Sequence, residues 1–90
     1  MSNKIAIESL SMDLLRVALS YHRGSTKTAK RFSEESLMRV KEINTNEIKP
    51  YFIKILNSIK ISLANSNEDR IIDDALMYST LCKNYAKHFA

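Results

Sequence analysis

The run from His22 to Arg31 places Arg23, Lys27, Lys30 and Arg31, with His22 beside them, around Ser25 and Thr26, two residue types that commonly cap helices. Cations at a helix start are chemically unusual. The N-terminal end of a helix is the positive end of its dipole and normally attracts Asp or Glu, so each cation there costs a few tenths of a kcal/mol up to about 1. A bound anion offsets that cost. Free backbone N–H groups at Ser25, Thr26 and Lys27, together with Arg23, Lys27, Lys30 and Arg31, read as a cradle for a phosphate or a nucleic-acid backbone. The plainer reading is a solvated face, since Glu34 lies four residues from Lys30 and Glu35 four from Arg31, the spacing of intrahelical ion pairs.

Other chemistry has fewer residues to draw on. His22, Cys82 and His88 are the only imidazole or thiol groups, and their spacing matches no recognised metal-ligand pattern, so no metal or other cofactor is expected. Cys82 falls on an apolar helical stripe and reads as a small buried hydrophobe. Asp73 and Asp74 are adjacent and point about 100° apart on a helix, which separates their carboxylates. The serines lack a nucleophile elbow, and no Gly-rich loop is present to hold a nucleotide. A helix-turn-helix register over this region fails at Arg39, where a buried apolar residue is required. Arg16 and His22, spaced Arg-x5-His, resemble the Arg-x4-6-His signature of HEPN-type helical ribonucleases. That resemblance covers seven residues and implies nuclease chemistry at Arg16 and His22; the reading from the residues themselves is a protein without catalysis.

Ninety residues form one domain over 1–90, long enough to bury about 60–65% of the unfolded chain's surface. One Gly and one Pro, against about six and about four or five at average usage, leave nothing to make the many turns of a β-protein. Long helices with few loops fit. The charge is mildly basic, +4 from 14 Lys and Arg against 10 Asp and Glu, which favours anionic partners without the density of a dedicated DNA-binding domain. No stretch has the roughly 18 uninterrupted apolar residues of a membrane span. Glu8 interrupts the first apolar residues where a signal peptide needs continuity, and a single cysteine suits a reducing compartment, so a cytoplasmic location is expected.

Apolar periodicity predicts four helices, at about 8–22, 26–43, 47–64 and 68–89, with residues 1–5 as a frayed end. Gly24 closes the first; Ser25 and Thr26 open the second. Asn46 is expected to cap the third, with Pro50 in its first turn, and Ser66 to cap the fourth in a capping box with Asp69. Three short connections favour antiparallel neighbours, hence a small all-α, antiparallel four-helix bundle. The most apolar run, Asn46 to Leu63, is expected to be its central helix.

Two of these helices carry more apolar surface than one buried stripe requires. Met12, Leu15 and Leu19 form a second ridge on the first helix, and Ile53 and Ile61, with Asn57 between them, lie off the main stripe of the third. These six residues read as an interface, with a second copy in a homodimer or with another protein. The expected function is therefore a non-catalytic interaction or regulatory module that self-associates. Anion or nucleic-acid binding at the start of the second helix is the alternative.

Overall fold

The structure, a computed structural model, describes residues 2–89. Within them the chain forms four α-helices, α1 (Asn3–His22), α2 (Thr26–Glu42), α3 (Pro50–Leu63) and α4 (Glu68–Phe89), with a single 3-10 turn at Thr45–Glu47. Sequential helices run antiparallel, as the short connections require, and the fold is a small antiparallel four-helix bundle. Among the described residues no helix is long and apolar enough to cross a membrane.

α1 begins five residues before the first helix's expected start. Ser2 accepts the Ile5 N–H on its side chain at 3.3 Å, and Asn3 ties the first turn to the α2–α3 connection by accepting the Asn44 N–H at 2.9 Å. Residues 2–5 are thus a cap and a first turn rather than a frayed end; Met1 lies outside the described residues. At the other end Gly24, at φ 79°, allows the Ser25 N–H to reach the Ser20 carbonyl and the Gly24 N–H the Tyr21 carbonyl, the paired bonds that close a helix on a left-handed residue.

Two expected caps are displaced. Asn46 lies in the 3-10 turn, where its N–H is taken by the Asn44 side chain, and α3 starts at Pro50 with Lys49 in the cap position. Pro50 marks a start, because its missing N–H is one that the first turn of a helix leaves free. α4 is capped by Asn67, which accepts the Arg70 N–H at 3.2 Å, and not by Ser66. An Asn side chain three residues before an unpaired N–H does what the expected serine would have done one residue earlier.

The central helix is α1, not α3. Two interleaved stripes of α1 are buried, Ala6, Leu10, Asp13, Val17 and Ser20, and Ile7, Ser11, Leu14 and Ala18. Offset by one residue, the stripes lie about 100° apart, so a wide arc of α1 is covered on two sides, by α2 and by α4. α3 packs chiefly on α4 and only lightly on α2, and it buries one stripe, Phe52, Leu56 and Ile59. Those side chains join Leu10, Leu14, Val40 and Cys82 in the larger core, while Val17, Ala18, Ile71 and Ala75 form a smaller one towards the α1–α2 turn. Truncating a fully buried residue such as Leu10 to Ala is worth about 2–5 kcal/mol.

Tyr85 ties α3 to α4. Its ring stacks on Phe52 with centroids 4.0 Å apart and planes within 13°, and its hydroxyl oxygen accepts the Lys49 N–H at 3.0 Å. One side chain thereby fills the core and occupies a donor that the start of α3 leaves unpaired.

Candidate functional site

The α1–α4 seam is built from small residues. Ser11 and Ala18 on α1 and Ala75, Ser79, Cys82 and Ala86 on α4 are all buried, and these small residues, set among buried Ile7, Leu14 and Tyr85, let the backbones approach closely. Met12, half exposed at 50%, and Leu15 stand over the seam from α1, and Leu76 from α4, with Thr80 beside it. Together they line an open groove of about 380 Å³, bounded at one end by Glu8 and Lys83. Leu19 continues the ridge one turn further and is also half exposed.

The expected interface residues therefore divide into two groups. Met12, Leu15 and Leu19 share this groove or its edge, whereas Ile53, Asn57 and Ile61 belong to α3 and do not line it. Ile61 is 75% exposed, Asn57 is exposed and Ile53 half-buried. The contribution of α4 to the groove was missed in the sequence. Its signal is there: Ile72, Leu76, Thr80 and Lys83 repeat at helical spacing one residue after the buried Ile71, Ala75, Ser79 and Cys82.

At the start of α2 an acid of α4 lies beside the cap residues. Thr26 points its hydroxyl at the Glu68 carboxylate, 3.4 Å away, and Thr26 and Lys30 line a polar cleft of about 510 Å³ with Tyr21, Glu68 and Asp69. α2 has no acid in its own first turn, and α4 brings one to it. Burial, and then Glu68, push the Tyr21 phenol above its ordinary pKa. The Ser25 N–H, counted as free for an anion, donates to the Ser20 carbonyl at 2.8 Å. Arg31 pairs with Glu35 at 3.8 Å and lies over the Phe32 ring. Arg23, Lys27 and Lys30 make no ion pair within 4 Å among the described residues.

A third cluster, between α1 and α2, has no counterpart in the sequence reading. Asp13 is only 4% exposed; one carboxylate oxygen takes Arg16 at 3.2 Å, and the other lies 3.7 Å from the Arg39 guanidinium without a hydrogen bond. Burial raises the Asp13 pKa most, Glu35 adds to it, and Arg39 and Arg16 oppose. Its place in the sequence was a signal, since Asp13 continues the Leu10 to Val17 stripe. Arg16, bonded to Asp13 and 5.6 Å from the Phe32 ring centre, is held towards α2, while His22 ends α1 in solvent.

Cys82 sits fully buried in the seam, where its thiol is pushed up to about 12 by desolvation. Among the described residues no group of three or more His, Cys, Asp or Glu side chains is placed to hold a metal ion. Compared with protein-family models, with curated proteins and with solved structures, the chain finds no match.

Proposed function

We propose that this chain is a cytosolic, non-catalytic helical module that acts by protein–protein contact, as an interaction or regulatory unit, and that it associates with itself. The observation that carries this reading is the run of apolar side chains along the outside of α1 and α4, with Met12, Leu19 and Leu76 exposed and Leu15 half-buried among them. The fold is complete without burying them, and contiguous apolar surface of that kind favours a partner. Size-exclusion chromatography with light scattering tests the association. A mass near twice the 10.3 kDa of one chain supports the reading, and a monomer at high micromolar concentration removes it.

Anion or nucleic-acid binding is the second reading, favoured by Arg23, Lys27 and Lys30 around the α1–α2 turn, three cations with no ion partner among the described residues. Glu68 in contact with Thr26 weighs against it. Binding of a short RNA or DNA that is present at low salt and lost on reversing Lys27 would support it; no binding at low salt would end it.

A further inference from the structure

We propose that a second copy of this chain docks face to face on the outer side of the α1–α4 seam, about a two-fold axis lying in the plane of that face. This rests on the self-associating reading above and adds the surface. Ser11 and Ser79, bonded to each other, mark one level along the antiparallel pair. Stepping a turn at a time from them sets Leu15 level with Leu76, Leu19 with Ile72 and Glu8 with Lys83 at one end, and brings Arg23, just past α1, within a turn of the level of Asp69 at the other.

The signs at the two ends are reversed. Beside the groove the first end has Glu8 on α1 and Lys83 on α4, with Lys4 and Lys87 a turn further out; the second has Arg23 at the end of α1 and Asp69 on α4. Such a pattern is its own complement under a two-fold rotation in the plane of the face, so each acid meets a base of the other copy while the apolar centre meets itself. Glu8, Lys83, Arg23 and Asp69 have no ion partner within 4 Å in their own chain among the described residues, which leaves them available. The apolar surface of α3 lacks this property. Around Ile61, α3 carries Lys54 and Lys60 and no acid of its own, with Asp74 of α4 engaged by Ser62, so a two-fold along α3 would oppose like charges. The long side of the molecule measures 36 by 20 Å, an outline of about 700 Å², so a standard interface of roughly 800 Å² per partner would need the whole of this side.

Light scattering and sedimentation across a concentration series, at low and high salt, test this on the full chain, with circular dichroism confirming that each variant is folded. Leu15→Glu and Leu76→Glu are each expected to weaken the dimer by about 100-fold or more, by placing a charge in its dry centre. Glu8→Lys, at an exposed site with no role in the fold, is expected to weaken it about tenfold at low salt and less at high salt. Ile61→Glu is expected to leave it unchanged. A dimer that survives Leu15→Glu, or is indifferent to Glu8→Lys, or is lost with Ile61→Glu, overturns this surface and leaves self-association standing; a wild-type monomer overturns both.

Discussion

Ser11 of α1 and Ser79 of α4 exchange hydrogen bonds across the helix seam, each hydroxyl donating to the other residue's carbonyl oxygen at 2.8 Å, with the two hydroxyl oxygens 3.3 Å apart. Both residues are buried, yet no donor is stranded, because a helical carbonyl has a second lone pair for a second donor. The exchange sets the level of one helix against the other.

Removing either hydroxyl should cost little, and enlarging either side chain should cost more. Ser11→Ala loses one neutral hydrogen bond and leaves the Ser79 carbonyl its helical partner, an expected loss of about 1 kcal/mol in urea unfolding. Ser79→Leu forces extra volume into the seam, expected to cost about 1–3 kcal/mol or more. Equal losses for the two variants would show that close approach of the helices is not what the serines provide.

Tyr85 separates packing from hydrogen bonding in the same way. Tyr85→Phe keeps the stack on Phe52 and strands the Lys49 N–H, expected to cost about 1 kcal/mol and to accelerate amide exchange at Lys49. Tyr85→Ala loses both, expected at about 3–5 kcal/mol. Unchanged exchange at Lys49 in the Phe variant would remove the hydroxyl from the account of how α3 starts.

Asp13 makes stability depend on pH in an uncommon direction for a carboxylate. Its folded pKa lies above the ordinary 3.8, so within the window between the two values the folded chain binds more protons than the unfolded one. Its contribution to stability then falls as pH rises through that window, and the cost of the buried charge is complete above it. Asp13→Asn is expected to be more stable than the wild type at pH 7 and to match it below pH 3.8. A variant less stable than wild type at pH 7 would show that attraction to Arg39 and Arg16 outweighs burial.

Cys82 should be silent in the folded protein. With its thiol raised to about 12 and no exposed surface, it is expected to resist a thiol reagent at pH 8 and to react fully in denaturant. Fast labelling of the native chain would mean that α1 and α4 separate readily, and would undercut the closed seam.

The helices were legible because their signals are local. Gly24 allows the left-handed residue that ends α1, Pro50 fits only a first turn, and apolar spacing places α2 and α4 within a residue of where they lie. The caps were less so: Ser66 and Asn67 are both good caps, and only the Asn67 bond to the Arg70 N–H distinguishes them. The central helix was misjudged for a physical reason. Apolar content marks what prefers to be buried, whereas centrality depends on how many neighbours a helix has, and α1 holds two through side chains as small or polar as Ser11, Asp13 and Ser20.

The sequence by itself determined the class of fold, the number and approximate limits of the helices, and the surplus of apolar residues on α1 and α3, since each follows from residue type and from spacing within one helix. Tertiary structure alone decided which helix is central, that Ser11 faces Ser79, that Asp13 is buried beside Arg39, and that Leu76 and Lys83 of α4 complete the groove begun by Met12 and Leu15 of α1. Those relationships join residues some twenty-five to seventy-five positions apart, and no periodicity within a helix records the rotation of one helix against another.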